Sequence, residues 1–109
     1  MARKSVEAAL DRQAVDILML DIREAANFAD YFVICTAESD RQLRAIRDAI
    51  EESLAGEGIK PYRREGSEDS GWVLLDFSQI IVHIFSPPER AFYNIEKLWE
   101  KAVPVVRIL

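Results

Sequence analysis

The stretch Trp72-Val73-Leu74-Leu75-Asp76-Phe77-Ser78-Gln79-Ile80-Ile81-Val82-His83-Ile84-Phe85 decides the fold. It reads as two six-residue strands joined by two residues, the natural closure of a β-hairpin. Ser78-Gln79 is a poor turn pair, so the strands carry the hairpin reading and the turn does not. With Phe77 opposite Ile80, each step outward pairs the next residues, ending with Trp72 opposite Phe85. Side chains along a strand alternate between faces. One face therefore holds Val73, Leu75, Phe77, Ile80, Val82 and Ile84. It is wholly apolar and must be the core face. The other face pairs Trp72 with Phe85, Leu74 with His83 and Asp76 with Ile81.

That second face mixes aromatic rings with a carboxylate and an imidazole. Strands covered on both sides read as nearly continuous apolar runs, and this hairpin comes close to one. A cover over Asp76 and His83 would have to supply partners for both, because unpaired burial of polar groups is costly. The rest of the chain offers three helical segments, about enough to cover one face of a sheet. The mixed face is therefore expected to be at least partly open. Exposed apolar groups rimmed by polar ones mark a binding surface.

Working outward, the segment after the hairpin starts a helix. Ser86 stands at the cap, Pro87 at the first helical position and Glu89 three residues after the cap. Ala91, Ile95, Leu98, Trp99 and Ala102 form its apolar face, and Pro104 stops it. The apolar tail Val105 to Leu109 has no assignment from pattern alone. Before the hairpin, a short strand is expected over Pro61 to Arg64, followed by a polar loop, Glu65 to Gly71, whose acidity fits solvent exposure.

The central helix is the clearest. Ser39 caps it, Gln42 completes a capping box, and Leu43, Ile46, Ile50 and Leu54 recur at helical spacing up to Gly56 or Gly58. Arg41, Arg44 and Arg47 fall on another side, read as a solvated stripe with Arg44/Asp48 and Arg47/Glu51 pairs. Earlier still come strands over Asp16 to Ile22 and Tyr31 to Thr36. Their connection is too short for a helical crossover, so they are antiparallel if adjacent. A first helix spans about Val6 to Gln13, with Val6, Ala9 and Leu10 facing inward.

Composition sets the bounds. The chain has 109 residues, half of them hydrophobic, which suits a single domain over residues 1–109 with a real core. No run approaches the ~20 apolar residues of a membrane span. The basic start Met1-Ala2-Arg3-Lys4 has no apolar run behind it, so no signal peptide and a cytoplasmic location are expected. One cysteine, Cys35, excludes an internal disulfide framework, and in its apolar run it reads as a small buried hydrophobe. One histidine leaves too few partners for a zinc or Cys-His site, and no cofactor is expected. The net charge of −5 argues against naked nucleic acid as the partner and favours a basic protein surface.

Six blocks in order carry a resemblance. They are Asp30-Tyr31-Phe32-Val33-Ile34, Ser39-Asp40-Arg41-Gln42, Glu65-Gly66, Trp72-Val73-Leu74-Leu75-Asp76-Phe77, Val82-His83-Ile84-Phe85 and Arg90 through Trp99. Together, from about Val6 to Trp99, they closely resemble the ribosomal silencing factor family, RsfS, also called Iojap. The resemblance implies an α/β fold with a mixed sheet of about five strands, helices mainly on one face, and an architecture related to nucleotidyltransferases. It implies a non-enzymatic protein that binds the large ribosomal subunit through universal large-subunit protein fourteen, at the intersubunit face. Subunit association is blocked and translation is repressed when nutrients are scarce. Two departures stand out. Ser78-Gln79 occupies a turn where the family commonly has Gly-Asp, and Ala37 stands where Gly is common.

Carried over by position, the partner-binding residues are Trp72, Leu74, Asp76, His83, Phe85 and Tyr93. Trp72 would be the aromatic anchor and Asp76 the pair for a basic group. Leu74 and Phe85 would extend the apolar patch, and His83 would exchange a hydrogen bond. Tyr93 is a rim candidate whose alternative is packing. Catalysis is the competing class. Asp16, Asp21, Asp30 and Asp76 are available, but Asp16 and Asp21, five apart, point to opposite faces of an extended strand. No phosphate-binding glycine motif accompanies them. A third reading, a symmetric homodimer through the same open face, is compatible with ribosome binding.

Overall fold

The structure is a computed structural model that describes residues 1–99 and 101–109. The side chain of Leu98, read above as part of an apolar face, lies outside the described part. The elements are α1 (Ala2–Asp11), β1 (Val15–Asp21), β2 (Tyr31–Thr36), α2 (Asp40–Ala55), β3 (Arg63–Ser67), β4 (Trp72–Asp76), β5 (Ile80–Phe85), α3 (Pro87–Tyr93), α4 (Ile95–Leu98) and β6 (Val103–Ile108). The strands form one sheet in the order β3-β4-β5-β2-β1-β6. β2 and β5 run parallel and every other neighbouring pair is antiparallel. None of the described helices is long and apolar enough to cross a membrane.

The hairpin register is the one expected, with Trp72 opposite Phe85, Leu74 opposite His83 and Asp76 opposite Ile81. The turn closes by a hydrogen bond from the Phe77 amide to the Ile80 carbonyl at 2.9 Å. Ser78 takes a φ of 76° there, a value that suits glycine better than serine. The β1–β2 pair is antiparallel, as its short connection required.

Two layers of side chains arise from the strand alternation. The first lies under α1 and α2 and joins Val33, Cys35, Val73, Leu75, Val82 and Ile84 to Leu43, Ile46, Ile50 and Leu54. Burial pushes the Cys35 thiol up to about 12, which keeps it protonated and unreactive. The second layer joins Leu18, Leu20, Phe32, Ile34, Ile81 and Phe85 to Ile95 and Trp99 of the α3–α4 region.

Several expectations change. The sheet has six strands, not five, because the unassigned tail pairs with β1. The last helix is two short ones, broken at Asn94, which adopts a left-handed φ of 45°. Pro104 therefore sits inside β6 instead of ending a helix. α1 starts earlier than read, so its inner stripe is Ala2, Ser5, Val6 and Ala9, and Leu10 is exposed. β3 lies over Arg63–Ser67, so it keeps Arg63 and Arg64 of the expected strand and runs on into the expected loop. Gly66 explains its own presence there. At its φ of 80° an added Cβ would stand 2.0 Å from the Trp72 carbonyl oxygen, so a side chain cannot fit between β3 and β4.

The Ser39-to-Gln42 block is half a capping box. The Ser39 hydroxyl accepts from the Gln42 amide at 3.1 Å. The Gln42 side chain does not return to Ser39. It accepts from the Glu38 amide and donates to the carbonyls of Arg12 and Gln13, tying the end of α1 to the start of α2.

Candidate functional site

The second face of the sheet carries a continuous array of rings. Trp72, His83 and Phe85 stand with nearly parallel planes, their centroids 5.9–6.1 Å apart. Strand geometry places them so: Trp72 is directly opposite Phe85, and His83 is two residues from Phe85 on the same face. Tyr93 closes over this group, 5.1 Å from Trp72 and 6.0 Å from Phe85, and Phe92 packs edge-on against Tyr93. On the other side Phe32 meets His83 edge-on at 5.1 Å and continues to Trp99 and Phe28.

The face is less open than its alternation suggested. Phe85 is fully buried, His83 is 6% exposed and Ile81 is 8% exposed. The reason is the α3–α4 segment, expected as one helix on the other face, which packs over this one. Trp72, Leu74 and Asp76 are half-buried, while Tyr93 is 42% and Phe92 79% exposed. The accessible surface is thus Phe92 and Tyr93, with Trp72 and Leu74 beside them. His83 and Phe85 form its floor.

His83 is a neutral floor residue. Its Nδ1 accepts from the Trp72 indole Nε1 at 3.2 Å, which leaves the proton on Nε2. Burial pushes its pKa down to about 4. Nε2 itself is buried without a hydrogen-bond partner among the described residues.

Asp76 has a structural task that spacing did not show. Its Oδ1 accepts from the Ser78 amide at 2.8 Å and so shapes the hairpin turn. Its Oδ2 lies 3.8 Å from the Arg63 guanidinium on β3, beside the Arg63–Glu65 pair. The half-buried patch therefore has a charged border.

A family model described as "Ribosomal silencing factor during starvation" matches residues 1–108. The chain belongs to the RsfS family. A ribosomal silencing factor RsfS from Bacillus subtilis is 42% identical over 92 residues, which cover 84% of this chain and 78% of that one. The chloroplastic protein Iojap of Zea mays is 37% identical over 102 residues, covering 91% of this chain and 43% of that longer one. A crystal structure from Chromobacterium violaceum superposes with a TM-score of 0.86 at 31% identity, covering 90% of this chain and 82% of the other. A second, from Bacillus halodurans, gives 0.79 at 36% identity, covering 89% and 90%. Membership assigns the chain a role in ribosome silencing and so in translation regulation.

Within this RsfS fold three rings of the array had no place in the sequence reading, Phe28, Phe32 and Phe92, while Trp99, expected on an apolar helix face, joins them. Phe32 was legible, since strand parity puts it with Ile34 on the second face. Phe92 was hidden by treating residues after Ser86 as one straight helix. The break at Asn94 separates α4 from α3 and leaves Phe92 outward. The basic stripe of α2 also reads differently. Arg44 and Arg47 reach Glu68 at 2.9 and 3.1 Å, Arg47 also pairs with Asp48, and Arg64 pairs with Glu51. The 3-10 turn after β3 swings Glu68 back over α2, so the expected Arg44/Asp48 and Arg47/Glu51 pairs are replaced. Glu68 is correspondingly held below the usual carboxylate range, first by a backbone hydrogen bond of its own turn and then by Arg44.

Proposed function

We propose that this chain silences ribosomes by binding the large subunit through universal large-subunit protein fourteen at the intersubunit face. It thereby keeps the small subunit from joining when nutrients are scarce. The supporting observation is the half-covered ring surface of Tyr93, Phe92, Trp72 and Leu74, bordered by Asp76, Arg63 and Glu65. Large rings over a packed floor are the composition of an interface core, and a charged border is that of its rim. Of the residues carried over from the family, Trp72, Leu74 and Tyr93 would touch the partner and Asp76 would face its basic groups. His83 and Phe85 would hold Trp72 and Tyr93 from below. The protein acts as one domain, in the cytoplasm, by occupying a surface and not by catalysis.

Two features favour a protein partner over naked RNA. The net charge is −5. The arginines of α2 and β3 that would suit phosphates are largely paired with carboxylates of the same chain. A symmetric dimer through the ring surface would compete with the ribosome for the same residues. The test is co-sedimentation with purified large subunits, small subunits and naked ribosomal RNA, then a joining assay. Retention on large subunits alone, with a lowered yield of joined ribosomes, is the expected result. Equal retention on naked RNA would overturn the protein-surface reading. Normal joining at saturating occupancy would overturn steric exclusion.

A further inference from the structure

Arg90 lies on α3, two residues before Phe92 and three before Tyr93. Its side chain is 8% exposed. Its Nη1 donates to the Asp16 carbonyl at 2.5 Å and to the Thr36 hydroxyl at 2.9 Å. Its Nε donates to Glu96 Oε1 at 3.2 Å. Its Nη2 lies 3.5 Å from the Asp16 carboxylate, which in turn pairs with Arg107 at 2.9 Å. One guanidinium thus links α3 to β1, β2 and α4, and through Asp16 to β6.

The elements it joins cannot hold their place unaided. α3 has seven residues and α4 has four, with a left-handed break between them. Helices this short are unstable without tertiary support. Ring contacts such as Tyr93 on Trp72 supply attraction but tolerate sliding. A forked guanidinium with fixed acceptors on separate strands does not. The backbone at the other end is bent to meet it. Asp16 has a φ of 47°, uncommon for a residue with a side chain, and it lies where the β1–β2 register shifts. Burying a cation is costly unless it is well paired, and its attested use is to select one geometry among several.

We infer that Arg90 is a positioning residue for ribosome binding: without touching the partner, it sets where Phe92 and Tyr93 stand over Trp72, and so shapes the docking surface. This rests on the ring-surface reading above. Arg90 is itself buried and would act only through the rings beside it.

The test uses the full chain with Trp99→Phe, so that Trp72 is the only indole and reports the packing of Tyr93. Arg90→Met keeps most of the stem and removes the fork. Its Trp72 emission should shift to the red, and its affinity for purified large subunits should fall at least tenfold at a temperature where the melt shows it folded. Phe92→Ala should weaken binding by itself. Added to a Phe92→Ala/Tyr93→Ala variant, Arg90→Met should cost little further affinity, so the losses should not multiply, because both rings that Arg90 positions are then gone. Multiplying losses, or unchanged emission and affinity in folded Arg90→Met, would overturn the inference. Should Arg90→Met not fold, Thr36→Val carries the test. It removes one acceptor on β2, far in sequence from Phe92 and Tyr93, and should give a smaller change of the same sign in both readouts. Unchanged readouts in folded Thr36→Val would then count as refutation. Should Phe92→Ala and Trp72→Ala both bind normally, the docking surface itself is wrong, while the Trp72 emission still decides what Arg90 positions.

Discussion

Under α1 and α2 the sheet is filled by Val, Ile and Leu, whose side chains are almost all closed off from water. Under α3 and α4 the same strands present rings, a neutral imidazole and a half-exposed border. Both layers come from the same β4–β5 hairpin, one from each parity of its residues. The difference lies in the cover. α2 has 16 residues with four apolar side chains at helical spacing. The α3–α4 segment is short and broken, and it is pinned by one arginine. A long helix closes a face for stability. A short pinned segment leaves large rings at the surface, where a partner can complete the packing.

The sharpest way to break this comparison is to charge each face in turn. Val82 on the aliphatic face is fully buried, and Val82→Asp would bury a carboxylate among branched aliphatics with no partner. No cooperative melt is expected. Trp72→Ala, on the ring face, should leave a folded protein that is less stable by about 3 kcal/mol, the low end for a large ring because Trp72 is only half-buried. Its binding to large subunits should fall by about 2 kcal/mol or more, as for an interface anchor. Calorimetric melts beside pull-downs separate the two. Normal binding by folded Trp72→Ala would remove the ring face from the interface.

Legibility in the sequence divides along the same line. The hairpin register, the aliphatic face and α2 were readable, because alternation and helical periodicity act within one segment. The ring face was half readable. Its hairpin residues were placed on the right face, but the segment over them is tied down by Arg90 reaching Asp16 and Thr36, 74 and 54 residues away. No local pattern encodes that reach. Asp76 and Gln42, both singled out from the sequence, carry further tasks that local pattern does not show: Asp76 also shapes a turn, and the Gln42 side chain ties two helices.

His83 sharpens the comparison through pH. It is the only histidine, and its folded pKa is depressed to about 4 by burial on the ring face. A depressed histidine makes the unfolded chain bind the proton first. Stability is therefore full above the unfolded value near 6.5 and falls as pH drops toward 4. Between pH 7 and pH 5 the loss should be about 2 kcal/mol, read from urea midpoints. The carboxylates with lowered values, Asp21, Glu57 and Glu68, titrate below this window. His83→Leu should flatten the dependence. A midpoint that does not move from pH 7 to pH 5 would mean the ring accepts a proton in place, contrary to a closed floor.

Asp76 tests the border. Asp76→Asn keeps an acceptor for the Ser78 amide and removes the charge. The melt should move little, while association with large subunits slows and loses part of its salt dependence, an effect of about 1 kcal/mol or less for a rim charge. Asp76→Arg also removes the turn acceptor, so its binding loss should come with a lower melt. Equal association rates for Asp76→Asn and the parent chain at low salt would show that the carboxylate serves the turn alone.

The smallest effect belongs to the turn that both faces share. Ser78 holds a φ of 76°, and its side chain is exposed. A residue with a Cβ is strained there, and glycine is not, although glycine gives up more conformational freedom on folding. The strain should outweigh the entropy by about 0.5 kcal/mol, so Ser78→Gly should raise the melt slightly. The Ser78 amide that meets Asp76 is retained, and the strand register is unchanged. Because each face takes alternate residues from the same two strands, a relaxed turn stabilises both layers together. Neither the Trp72 environment nor the affinity for large subunits should change. A Ser78→Gly protein that binds differently at equal or higher stability would show that the turn itself meets the partner, and the interface would then extend past the ring face to the hairpin tip.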